Sequence, residues 1–147
     1  MCFRTLAVAL FLATSLRAQD SASGVLGKWR EPGGSVIEVY KCGADVCAKM
    51  VFLSQEAASQ VDSNNPEASA RTRPLCGLQI GYGFKLGDAS HAESGKLYDP
   101  KSGKTYRGSM TAQGEQLNLR GYIGIKAFGR SEIWTRADGG SATCAKS

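Results

Sequence analysis

The segment Val36 to Cys47, VIEVYKCGADVC, sets β-branched residues before a short link, Gly43-Ala44-Asp45-Val46, that is flanked by Cys42 and Cys47, and Lys49-Met50-Val51-Phe52-Leu53 follows it. Such runs on either side of a Gly-containing link predict two antiparallel strands joined by a tight turn, with the cysteines facing each other across the pair at disulfide distance. The same grammar continues along the chain. Cys76 to Phe84 (CGLQIGYGF) is an extended run interrupted by glycines that suit bends. Lys96-Leu97-Tyr98 and Thr105 to Met110 flank Asp99-Pro100-Lys101-Ser102-Gly103, a hairpin loop by composition. Gln116 to Ile123 alternates Leu117 and Leu119 with Asn118 and Arg120, and Ser131 to Arg136 closes the series. With the short run around Trp29, these segments predict eight strands in sequence order, an all-β, eight-stranded antiparallel up-and-down barrel that leaves no free sheet edge and is wide enough to enclose one small ligand.

The exception to tight turns is Ser54 to Pro74, long and polar, where a lid, a pocket wall or a plain surface loop would sit. Within it Asn65-Pro66-Glu67 has the order of an N-cap, an N1 proline and a first-turn acid, which predicts a short helix from Pro66 to about Arg71.

Length and composition agree with a single small domain: 147 residues, 42% hydrophobic and 21% charged, with 18 glycines that favour many turns over a helical bundle. Residues 1–18 read as a signal peptide, with Arg4 as the basic start, Leu6 to Leu16 as the apolar run and cleavage after Ala18. That run is too short to span a bilayer, which takes about 20 apolar residues, so a periplasmic or secreted chain without a spanning segment is expected. Residues 19–26 are a small, polar, flexible lead-in, 27–136 the barrel domain and 137–147 a tail. Losing 1–18 removes two basic residues and no acidic ones, which takes the formal net charge from +5 to +3. The remaining cations form no stripe interleaved with aromatic residues, so nucleic acid is not an expected partner.

Export leaves Cys42, Cys47, Cys76 and Cys144, and an oxidising compartment favours pairing them. Three connectivities are open; the hairpin favours Cys42 with Cys47, leaving Cys76 with Cys144 to tie the tail to the middle of the chain. Their spacing is not that of a zinc ribbon or knuckle.

Four ordered groups of residues carry a resemblance: Gly27-Lys28-Trp29; Val36 to Cys47; Asn64-Asn65-Pro66 with Arg71-Thr72-Arg73-Pro74-Leu75 and Gly77-Leu78-Gln79-Ile80; and Tyr98-Asp99-Pro100 with Gly103-Lys104-Thr105-Tyr106, Arg120 to Gly124, Phe128-Gly129-Arg130 and Trp134-Thr135-Arg136. Over about residues 24–136 this order resembles the bacterial exported family catalogued as domain of unknown function 2147. The resemblance implies a lipocalin-like small barrel and no established activity. Cys76 stands where that family usually carries an apolar residue, which supports its pairing with Cys144. Gly27-x-Trp29 also resembles the first-strand signature of lipocalins, in which a tryptophan closes one barrel end and an arginine from the last strand packs over its ring. The resemblance gives those roles to Trp29 and Arg136 and makes them structural; Trp134 is grouped with them.

No catalytic set emerges. His91 is the only histidine, in the polar stretch GDASHAESG, which excludes a His-only metal site, and no G-x-S-x-G is present. Asp62-x-Asn64-Asn65 lacks the later glycine and glutamate of a calcium loop and reads as Asx turns and capping. No metal, cofactor or catalytic residue is assigned. The leading expectation is a barrel that binds a small hydrophobic or amphiphilic molecule. Its inner wall would draw on Ile37, Val39, Met50, Phe52, Ile80, Tyr106, Met110, Leu117 and Leu119, with Gly108, Gly121 and Ile123 on the same faces. Tyr98, Arg71 and Arg73 belong to the mouth, the arginines drawing an anionic head. The alternative is a filled barrel that docks an envelope protein or an anionic polymer through Arg71, Arg73, Lys126 and Arg130. A third reading, an enzyme on an envelope component, would rest on Tyr98, Asp99, Tyr106 and the arginines.

Overall fold

The structure is a computed structural model that describes residues 24–57, 59–137 and 144; the expected signal peptide, residues 19–23 of the lead-in and most of the tail lie outside the described residues. Eight strands follow one another as β1 (Gly27–Arg30), β2 (Val36–Cys42), β3 (Asp45–Phe52), β4 (Gln79–Asp88), β5 (His91–Asp99), β6 (Lys104–Gln113), β7 (Gln116–Tyr122) and β8 (Arg130–Arg136). Each pairs antiparallel with the next, and β1 returns to β8 through Trp29↔Arg136 and Arg30↔Thr135, so the barrel is closed.

Alternation places the side chains as the period of a strand requires. On β7, Leu117 and Leu119 are buried while Asn118 is exposed, and the register sets Leu119 beside Met110 and Leu117 beside both Ala112 and Trp134. The alternation stops at Tyr122, because the chain leaves the sheet there; Ile123, expected on the inner face, is 70% exposed. A second departure lies on β3. Ile37 pairs with Met50 but Val36 pairs with Phe52, so one extra residue bulges between Met50 and Phe52. Met50 stays inside, whereas Phe52 is half-buried and outside the core cluster; Leu53 packs against that cluster instead.

Three local expectations are corrected. Cys76 to Leu78 form a turn, and β4 runs from Gln79 to Asp88. His91 opens β5 rather than lying in a loop, with ring contacts to Thr111 at 3.1 Å and Glu93 at 3.4 Å. The helix from Pro66 to Arg71 shrinks to one 3-10 turn, Ala68–Ala70. Asn65 Oδ1 does accept the Glu67 amide at 2.8 Å, but so short a segment cannot recover the cost of nucleating an α-helix.

The end of the lead-in is fixed rather than flexible. Val25 is fully buried; its amide donates to Ala89 O at 2.8 Å and its carbonyl accepts Trp29 Nε1 at 2.8 Å. Both disulfides are as expected: Cys42–Cys47 spans the first long hairpin with Cα atoms 5.8 Å apart, and Cys76–Cys144 has Cα atoms 5.7 Å apart. The Cys144 amide also donates to Val51 O at 2.6 Å, which pins this point of the tail beside β3.

Candidate functional site

The interior divides into a packed floor and a hollow mouth. At the floor, Arg136 lies over Trp29, with the guanidinium carbon 3.8 Å from the ring centroid, and donates to Leu26 O at 2.9 Å and Gly24 O at 3.0 Å. This is the end closure that the resemblance implied: a cation on a fully buried indole, held by backbone carbonyls. Above it sits Phe84, also fully buried. A side chain at Gly95 would begin 2.2 Å from the Phe84 ring, and one at Gly108 would begin 2.5 Å from Leu97 and 3.1 Å from Phe84. Those two glycines therefore make the space that the ring fills. Val39, Met110 and Leu117, expected as ligand contacts, belong to this packed floor and do not line the cavity. They face inward as alternation demands, but at the level where large side chains already meet.

Toward the loops joining β1 to β2, β3 to β4, β5 to β6 and β7 to β8, the interior opens into a cavity of about 570 Å³. Volumes of about 300–1,000 Å³ are typical of small-molecule sites. Ile37, Met50, Ile80, Leu97, Leu119 and Trp134 form its apolar wall. Of the residues expected to line it, Ile37, Met50, Ile80, Tyr98, Tyr106 and Leu119 are brought together; Val39, Phe52, Arg71, Arg73, Met110 and Leu117 are not. Trp134, grouped with the structural residues, is also a wall residue, its Nε1 donating to Glu132 Oε2 at 2.6 Å. Leu53, Leu75 and Leu97 were not foreseen. Leu97 was legible from alternation with Tyr98, whereas Leu53 follows the bulge and Leu75 lies in the loop, where periodicity says nothing.

The long loop is a wall of the cavity. Val61, Ser63, Asn64 and Leu75 line it, and one short bridge joins Val61 to Pro74. The loop is fastened through Asp62, whose carboxylate is fully buried and serves as more than the Asx-turn or capping group that the sequence suggests. Tyr98 Oη donates to Asp62 Oδ1 at 2.5 Å, Asn65 Nδ2 to Oδ2 at 2.8 Å, and Arg73 reaches Oδ2 through Nε at 2.9 Å and a terminal nitrogen at 2.8 Å. Burial by itself would raise the Asp62 carboxyl, but the hydrogen bonds from Tyr98, Asn65 and Arg73, with the Arg73 charge, hold it below its ordinary value. Burial first, then the bond to Asp62 and its charge, push the Tyr98 phenol up to about 12, so it stays a donor. Both loop arginines are thereby turned away from the mouth: Arg73 to Asp62, and Arg71 Nε to Asn65 O at 2.8 Å. Asn64 Nδ2 adds a bond to Lys101 O at 3.0 Å, tying the loop to the β5–β6 turn.

The ionic groups lining the cavity are Glu31, Glu56, Asp99 and Glu132 against Lys101 and Arg130, so acids outnumber bases and an anionic head is not favoured. Asp99 is committed locally, accepting Lys101 N at 3.0 Å and Ser102 Oγ at 2.7 Å. No group of three or more His, Cys, Asp or Glu side chains that could hold a metal occurs among the described residues. No described helix is long and apolar enough to cross a membrane.

The comparisons fit this architecture. Protein HP1028 from the human pathogen Helicobacter pylori, which belongs to the lipocalin family, superposes with a TM-score of 0.70 over 78% of this chain and 83% of its own, at 18% sequence identity. At that identity the likeness speaks for the fold. No curated protein sequence matches the chain. Residues 27–136, from the first strand to the last, match the bacterial family described as uncharacterized protein conserved in bacteria (DUF2147), and the chain belongs to that family.

Proposed function

We propose that the protein binds a small hydrophobic or amphiphilic molecule in the upper half of its barrel. The observation that carries this reading is the cavity of about 570 Å³, apolar along its wall and standing over a closed, packed floor. An apolar molecule there would leave water for contact with Ile37, Leu97, Leu119 and Trp134, a gain of roughly 25 cal/mol per Å² of apolar surface removed from water. With four carboxylates and two cations around the opening, a neutral, zwitterionic or cationic polar end suits the rim better than an anionic one. The loop latched at Asp62 gives the site a pre-formed wall, which lowers the ordering cost of binding. The reading includes export to the periplasm or beyond the cell: the basic start, apolar run and Ala18 of residues 1–18 support it, as do two disulfides that would persist there.

The test is native mass spectrometry, with solvent extraction, of the protein purified from its own exported fraction. The proposal expects a reproducible small apolar adduct that disappears when Leu119→Trp fills the cavity in a protein that still folds. Met110→Trp, which overfills the floor, would instead lower stability. An adduct retained in full by Leu119→Trp would place binding elsewhere and reject the reading.

A further inference from the structure

The loop between β7 and β8 carries the three most exposed large hydrophobic side chains among the described residues, and none of them lines the cavity. Ile123 is 70% exposed, Ile125 65% and Phe128 84%, all within six residues. Ordered apolar side chains clustered at that exposure mark an interaction site more often than chance placement. The loop is built to hold them out. Arg120 donates through Nε to Lys126 O at 3.0 Å, and through its terminal nitrogens to Lys126 O at 2.8 Å, Ala127 O at 3.0 Å and Ser131 Oγ at 3.0 Å. Lys126–Phe128 is itself a 3-10 turn closed by the Gly129 amide on Lys126 O. The side chains therefore stand on a braced backbone.

The charge within the loop and at its edge is positive. No acidic residue occurs between Gln116 and Ser131, while Lys126 and Arg130 lie in or beside the loop, and neither takes part in an ion pair among the described residues. Lys104 and Arg107 on the neighbouring strand are exposed as well, and the nearby acids Asp99 and Glu132 are engaged, Asp99 by its own turn and Glu132 by Trp134 Nε1. Large apolar side chains ringed by cations match a lipid interface with anionic headgroups: the apolar groups enter the acyl boundary and the cations meet the headgroups. Gly121 and Arg130, the strand residues that flank the loop, also line the cavity.

We infer that the β7–β8 loop is a docking tip for an anionic lipid bilayer. The surface stands independently of what the cavity holds. The experiment is co-flotation of the full exported protein with vesicles of phosphatidylethanolamine containing about one quarter phosphatidylglycerol, against vesicles of phosphatidylcholine alone. Partition into the anionic vesicles is expected to fall by roughly tenfold or more in Ile123→Ser/Ile125→Ser/Phe128→Ser, and to fall in Lys126→Glu. It should also weaken at about 0.5 M salt. Cooperative unfolding of the variants at the wild-type denaturant midpoint shows that they are folded, as substitution of exposed side chains should leave them. Wild-type protein that stays soluble with both vesicles overturns the proposal, as does a triple variant that floats like wild type. A dimer that forms without vesicles, is lost in the triple variant and is unchanged by lipid would assign the patch to a second copy of the chain instead.

Discussion

Phe84 and Leu119 both face the inside of the same barrel, yet they stand in different surroundings. Phe84 is fully enclosed, with Gly95 and Gly108 cleared beneath its ring, while Leu119 borders a cavity of about 570 Å³. The difference lies in side-chain volume at each level. Trp29, Phe84, Met110 and Leu117 converge at the closed end, whereas Leu97, Leu119 and Ile80 leave space between them near the loops. Where the floor gains stability from interlocking side chains, the mouth is held by polar bonds at its edge, above all those on Asp62.

The sharpest way to break this comparison is to truncate each half. Phe84→Ala should lower stability by about 3–5 kcal/mol, the usual cost of removing a buried ring from a packed core. Leu119→Ala should cost only about 1–2 kcal/mol, because one side of the residue already lacks neighbours. Urea unfolding of the two variants reads the contrast, and equal losses would mean that the two levels are packed alike.

The disulfide Cys76–Cys144 is the next largest effect. Cys76→Ser/Cys144→Ser should lower the midpoint by an amount equivalent to at most about 4 kcal/mol, since the bridge closes a loop with a sequence separation of 68. The paired residues lie beside β3 and the long loop, so limited proteolysis should cut within residues 54–78 before it cuts the floor. Asp62→Asn comes third, at about 2 kcal/mol. The amide would face Asn65 and Arg73 with a donor where an acceptor is needed, and exposure of Arg73 moderates the loss.

That network also sets a pH dependence. Asp62 is lowered from its ordinary value of 3.8, so its contribution is present above that pH and is lost as pH falls through the folded value. Tyr98 is raised from 10.0 to about 12, so its contribution is full below pH 10.0 and is lost as pH climbs toward 12. Stability measured against pH should slope down at both ends in the wild type, and Asp62→Asn should flatten the acid limb.

How far these features were legible depended on whether a periodic signal reported them. Eight short extended runs, nearly all joined by tight turns, specify the strand order, and Cys42 and Cys47 across a Gly-containing turn specify their own bridge. Alternation gives the side of the sheet on which Val39, Met110 and Leu117 stand, but not the level along the barrel axis, which depends on what the opposite strands contribute. That is why alternation points these three at a ligand while the fold sets them in the floor. The bulge that displaces Phe52 leaves no mark in the continuous apolar run Met50 to Leu53. The role of Asp62 was hidden for a similar reason: a polar loop of Ser, Asn and Asp reads as solvated turns, and only the fold brings Tyr98 over to bury its carboxylate.

The most direct test of a barrel packed below and open above is equilibrium titration with a neutral, apolar fluorescent naphthylamine probe, comparing wild-type protein with Leu119→Trp and checking that both unfold cooperatively. A hollow mouth predicts saturable binding by the wild type and a loss of roughly tenfold or more in affinity when the added indole occupies the cavity. Unchanged binding in the folded Leu119→Trp protein, or no saturable binding by the wild type, would contradict the account.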